Sequence, residues 1–138
     1  MLEKHIYKIN IENKTIESPE DSTLKPSECT PLFLQSFKLR KAGACLHSHS
    51  MNALLITRIF DSEVQLIDFE MIKGIPGHTN TEWCRVPIIE NTEKECDLTD
   101  RLRNAIIEYP RSNGVLVRNH GRTYIYILNK FHLTCIIF

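Results

Sequence analysis

Apolar and polar positions alternate along this chain with two periods, and the switches between them mark the elements. From Ile6 to Ile11 the apolar residues fall at every second place, with Tyr7, Ile9 and Ile11 on one side. A period of two predicts a half-buried strand. Asn13-Lys14 reads as a turn, and Thr15-Ile16 as the start of a short return strand. Glu17 to Glu28 is polar, carries Pro19 and Pro26, and reads as a surface loop. Thr30-Pro31 predicts a helix start, with the hydroxyl as cap and proline where no hydrogen bond is lost. Phe33, Phe37 and Arg40 share a stripe of that helix, and Gly43 is the expected stop. A short strand follows over Ala44 to His49. Ser50 can cap a second helix from Met51 to Phe60, with Leu54, Leu55 and Ile59 as its apolar side.

Val64 to Phe69 fits strand or helix equally. Lys73 to Thr81 holds Gly74, Pro76 and Gly77 and reads as loop, and Arg85 to Ile89 as strand. Thr92 and Glu95 have capping-box spacing. They lead into Leu98, Leu102, Ala105, Ile106 and Tyr109, a stripe of period 3.6 that Pro110 ends. Gly114 to Val117 and Tyr124 to Leu128 read as strands, and Phe131 to Phe138 is an apolar tail. Strands and helices alternate without repeats, which predicts one α/β domain, 1–138, with helices covering a sheet.

Composition narrows the functions. In 138 residues, 17 Lys+Arg balance 17 Asp+Glu. A neutral chain offers no field for a polyanion, so non-specific nucleic-acid binding is disfavoured. No apolar run approaches the ~20 residues of a membrane helix. Five cysteines at irregular spacing, without a C-x-x-C pair, are no disulfide framework and suit a reducing compartment such as the cytosol.

The residues with chemical potential are few. His47 and His49 sit at i and i+2 of a predicted strand and so point to one face. Neighbouring imidazoles are costly to bury unless hydrogen-bonded or joined by a divalent cation, and the pattern leaves both readings open. His120 follows the Val115–Val117 strand and precedes Gly121, a plausible third ligand. Three histidines without a fourth protein ligand suit a catalytic metal more than a structural one. Glu70 is the acid–base candidate, and Lys73 beside it could meet an anion or simply pair with it. Gly74 and Gly77 are too few and wrongly spaced for a phosphate loop, and no nucleophile elbow is present.

Several segments occur in a particular order: S-E-C-T-P-L-F (27–33), G-A-C-L-H-S-H-S (43–50), E-M-I-K-G-I (70–75), V-P-I-I-E-N-T (86–92), Glu108-Tyr109-Pro110 and V-L-V-R-N-H-G (115–121). Over residues 6–121 the chain resembles the methylthioribulose-1-phosphate dehydratase family of the class II aldolase/adducin-like fold. The E-M-I-K-G-I and P-I-I-E-N-T segments separate this branch from the sugar-phosphate aldolases. The resemblance implies a three-layer α/β/α fold with a central, largely antiparallel sheet. It also implies a cytoplasmic homotetramer with one zinc per subunit, acting in methionine salvage. The reaction would be dehydration of 5-methylthioribulose 1-phosphate to 2,3-diketo-5-methylthiopentyl 1-phosphate. By the same resemblance His47, His49 and His120 are the zinc ligands, Glu70 the catalytic acid/base, and Cys29 a residue lining the substrate site.

The likeness has limits. The family carries helices and a Gly-rich, phosphate-holding stretch ahead of the segment matching Ile6, and a Trp-Gly pair after the one matching Gly121. Residues 122–138 follow another pattern, and Glu28 stands where an amide is usual. Measured against the family, the fold is therefore expected to be incomplete. A catalytically inactive homologue, or an adducin-like interaction protein, stands as the alternative to the lyase.

Overall fold

The computed structural model describes residues 7–13, 15–19, 23 and 25–120, and the backbone of 122–127. A five-stranded sheet has the order β3-β7-β6-β5-β4, built from β3 (Ala44–His49), β4 (Glu63–Leu66), β5 (Cys84–Ile89), β6 (Gly114–Val117) and β7 (Arg122–Ile127). It is mixed. β5 and β6 run parallel, and the other three pairings are antiparallel. The first two strands, β1 (Lys8–Ile9) and β2 (Ile16–Glu17), pair with each other as a short antiparallel ribbon. Asn10 and Asn13 build the turn between them by accepting backbone N–H groups with their side chains.

Side-chain alternation in β5 and β6 assigns the two faces of the sheet. Ile89, Val115 and Val117 join Leu32, Phe33 and Phe37 of α1 (Thr30–Arg40) and Leu102, Ala105 and Ile106 of α3 (Thr99–Glu108) in one core. Ile88 and Leu116 point the other way, with Val64, onto Ala53 and Ile56 of α2 (Met51–Ile59). Period two in the strands and 3.6 in α3 meet here as expected, since Leu98, Leu102, Ala105 and Ile106 are all buried.

The helices also correct several expectations. Cys29, rather than Thr30, precedes the first turn of α1 without a side-chain cap, and the Thr30 hydroxyl donates back to the Ser27 carbonyl at 2.6 Å. That helix stops at Lys41, which adopts a left-handed φ of 49°, two residues before Gly43. In α2 the Ser50 cap forms, but Leu55 and Ile59 face outward at 51% and 75% exposure while Ile56 packs inward. The inward side of α2 is instead formed by Ala53, Ile56 and Thr57. Val64–Phe69 resolves into β4, followed by a short 3-10 turn at Glu70–Gly74. The tail at Phe131–Phe138, like Leu128, lies outside the described residues.

Edge strand β4 is pinned by charge. Arg85 forks onto both carboxylate oxygens of Glu63 at 2.6–3.0 Å and lies 5.3 Å over the Tyr109 ring. The Arg85 hydrogen bond holds the Glu63 carboxyl at about 2, well below its ordinary 4.5. The bound form is the ionised one, so its stabilisation is whole above pH 4.5 and drains away as pH falls toward 2. Arg85 is over half exposed, so water and salt screen the pair to about 1 kcal/mol. Acid titration followed by circular dichroism should show this loss in wild type and a flatter profile in Glu63→Gln.

Candidate metal centre

The C-terminal ends of β3, β5 and β6 lie at one end of the sheet, because β3 and β6 are each antiparallel to β7 and β5 is parallel to β6. Register places His49 opposite Arg122, and Arg122 opposite Val117. The loop after β6 is therefore brought to the H-x-H strand from more than seventy residues away. Asn119 takes a left-handed φ of 55°, a conformation that asparagine tolerates, and this turn delivers His120.

The three imidazoles are neighbours, with His49 next to each of the other two. His47 and His49 place their Nε2 atoms 3.0 Å apart with ring centres at 4.9 Å, and the His49 and His120 ring centres are 5.5 Å apart. Phe33 of α1 stands edge-on to His47 at 6.4 Å. Two side chains absent from the sequence-based candidates complete the surroundings. Asn91, just past β5, sets Nδ2 at 2.9 Å from His120 Nδ1. Glu95 brings Oε2 to 3.6 Å from Cys29 Sγ and Oε1 to 3.9 Å from His120 Nε2. Cys29 is thus at the cluster, buried at the start of α1, and its thiol donates to the Glu95 carboxylate.

Glu95 was hidden by its spacing from Thr92. In the structure the Thr92 hydroxyl donates to the Lys94 carbonyl, a 3-10 turn spans Glu95–Leu98, and α3 starts at Thr99. No capping box forms, which leaves Glu95 to face the imidazoles. Only the strand order could have indicated this, by placing the β5–α3 connection beside the loop after β6.

Glu70 is elsewhere. β4 runs antiparallel to β5, from Glu63 opposite Pro87 to Leu66 opposite Cys84, and so ends at the far end of the sheet. The segment after it stays there: the Asp68 N–H donates to the Asn80 carbonyl, and His78 Nε2 donates to the Arg111 carbonyl before β6. Glu70 is exposed and pairs with Lys73 at 3.0 Å. Four strand spacings of ~4.8 Å sideways, and five residues of ~3.3 Å along a strand, separate its end of β4 from His49 by about 25 Å.

Arg118 secures the loop that carries His120. It donates to the Thr57, Phe60 and Asp61 carbonyls at the end of α2 and pairs with Glu90 at 2.5 Å. Asn119 adds bonds from its N–H to the Thr57 hydroxyl and from Arg58 Nε to its Oδ1. Arg118→Ala leaves those carbonyls short of donors, and charge-assisted bonds of this kind carry about 1.5–3 kcal/mol. The variant should lose about that much stability in urea denaturation and bind a cation at the histidines more weakly than wild type.

Imidazole is a ligand for zinc and its neighbours. Two nitrogens on one tetrahedral zinc, each ~2.1 Å from it, stand ~3.4 Å apart, so the His47–His49 spacing of 3.0 Å needs only a small opening. Among the described residues no three His, Cys, Asp or Glu side chains yet converge on a single point, so one ring must adjust to complete a three-ligand set. The residues present fit a divalent cation in kind, and the His47–His49 pair fits it in spacing.

A mixed sheet between helices, with histidines from two separated segments brought side by side at one end, defines an α/β protein with a candidate metal site. Residues 1–125 match the Class II Aldolase and Adducin N-terminal domain, and the chain belongs to that family. Among curated relatives, the methylthioribulose-1-phosphate dehydratase of Komagataella phaffii is 50% identical over 105 residues, covering 72% of this chain and 44% of its own. The probable methylthioribulose-1-phosphate dehydratase of Leishmania infantum is 42% identical over 128 residues, 88% of this chain and 57% of its own. A probable bifunctional methylthioribulose-1-phosphate dehydratase/enolase-phosphatase E1 of Populus trichocarpa is 49% identical over 109 residues, 75% of this chain and 21% of its own. The chain spans about half the length of the first two relatives.

Proposed function

We propose that this chain carries the metal site of a zinc-dependent lyase of methionine salvage. The reaction is dehydration of 5-methylthioribulose 1-phosphate to 2,3-diketo-5-methylthiopentyl 1-phosphate. The observation that carries the proposal is the meeting of His47, His49 and His120 in a chain whose relatives are named for this reaction. His47, His49 and His120 hold the ion, one per subunit. When bound, zinc supplies Lewis-acid polarisation of substrate oxygens and so acidifies the neighbouring C–H.

The chain's own residues do the rest. Cys29 lines the substrate site, and Glu95 fixes the direction of its thiol. Glu70 removes the proton at C3 as general base and returns it to the departing C4 hydroxyl as water leaves. The enol that remains tautomerises to the diketone. Glu70 lies at the far end of its own sheet, so it reaches an imidazole cluster only from another copy of the chain. A homotetramer with sites shared between subunits meets that requirement. Within it each chain adopts the three-layer α/β/α arrangement of the family, one domain over 1–138, and works in the cytoplasm. Among the described residues no helix is long and apolar enough to cross a membrane.

The test combines metal analysis of the purified chain with a dehydration assay on 5-methylthioribulose 1-phosphate. Stoichiometric zinc with turnover that a chelator abolishes is the expected result. Zinc without turnover points to the inactive homologue. No zinc after reconstitution removes the metal site altogether.

A further inference from the structure

We propose, taking the imidazole cluster as a cation site, that Asn91 is a positioning residue that sets the tautomer of His120. Its carboxamide must turn over before His120 can become a ligand.

The hydrogen bonds fix which end of the amide is which. One terminal atom of Asn91 accepts from the Thr92 N–H at 2.9 Å. A backbone N–H only donates, so that atom is Oδ1. The other, Nδ2, is then the one at 2.9 Å from His120 Nδ1. An amide nitrogen donates, so Nδ1 is the acceptor, and in the neutral ring the hydrogen sits on Nε2. Glu95 agrees from the opposite side, since its Oε1 lies 3.9 Å from Nε2 and a carboxylate favours a nitrogen that carries hydrogen.

This is the reverse of what a ligand needs. A metal-bound histidine coordinates through a bare nitrogen, and its other ring N–H donates to an acceptor. With Nδ1 covered by Asn91, Nε2 is the available donor atom, so its hydrogen must move to Nδ1. There it would meet the Asn91 NH2, donor against donor. A half-turn of the carboxamide replaces that clash with Oδ1 as acceptor. It gives up the bond to Thr92 and turns the NH2 toward the Thr92 N–H, so the Thr92 contact opposes the turn that the metal favours. Arg101 donates to the carbonyls of Glu90 and Asn91 at 2.8 Å each, so the backbone is held while the side chain turns. Asn91 can serve both states because its two ends differ only in polarity.

The full chain, with its histidines labelled with nitrogen-15, reports the tautomer directly in long-range proton–nitrogen spectra, without and with zinc. His120 should be Nε2–H without metal and Nδ1–H with zinc. In Asn91→Asp both ends accept, so Nδ1–H should prevail before zinc is added. Chelator competition should then show zinc bound about tenfold more tightly than in wild type, the low end of the 10- to 100-fold effects of such outer partners. A metal-free wild type already in the Nδ1–H form overturns the proposal. So does an Asn91→Asp chain that melts like wild type but gains no affinity, or gains it with no tautomer change, which would be charge alone. If Asn91→Asp does not fold, the wild-type spectra decide. Failure of wild type to bind zinc at all removes the cation site itself, an outcome that the chelator titration identifies separately.

Discussion

His47→Ala should lower zinc affinity by at least about a hundredfold and abolish dehydration, while the metal-free chain keeps its secondary structure. The His47 and His49 Nε2 atoms, 3.0 Å apart, are the pair closest to coordination distance, so losing one removes the chelate and leaves two single imidazoles. Linkage makes the effect visible without turnover. At a zinc concentration a thousand times the dissociation constant, a site present only in the folded state adds about 4 kcal/mol, and a hundredfold weaker site adds about 1.4 kcal/mol under the same conditions. The difference is several degrees in melting temperature for a chain of this size. Without zinc the two proteins should melt within a few degrees of each other, since His47 is only half-buried near the end of an edge strand. A zinc-induced rise in melting temperature that is equal in wild type and His47→Ala would place the ion elsewhere.

Much of this arrangement was legible in one dimension. Period two marked His47 and His49 as neighbours on one face, and the stripe from Leu98 to Ile106 marked the buried side of α3. These are local consequences of backbone geometry. Where a choice depended on what lies opposite, the pattern was ambiguous. In α2, Leu55 and Ile59 are as apolar as Ile56, and only the position of Val64, Ile88 and Leu116 makes Ile56 the inward residue. Glu95 is a sound capping-box residue by spacing, but the helix begins four residues later and the carboxylate turns to Cys29 and His120. Glu70 illustrates the same limit at larger scale. Its motif is local, but its distance from the histidines follows from the strand order, in which β3 and β4 form opposite edges.

That order sets up the second large effect. Glu70→Gln should bind zinc like wild type, because the substitution lies at the far end of the sheet, and should lose at least about a hundredfold in turnover if the carboxylate is the general base. His47→Ala keeps Glu70 and loses the ion. Neither chain alone then has a complete site. Co-expressed in equal amounts, the two should recover activity, because some interfaces pair the intact histidines of a Glu70→Gln chain with the intact Glu70 of a His47→Ala chain. Random assembly makes about a quarter of the sites whole when each is built from two neighbouring copies. A site contained within one chain gives no recovery at any ratio. If Glu70→Gln alone retains full turnover, the base lies elsewhere, and Glu95 is the carboxylate that the fold already places beside His120. The activity of the mixture therefore separates a shared site from a self-contained one, and the activity of the single variant separates Glu70 from Glu95.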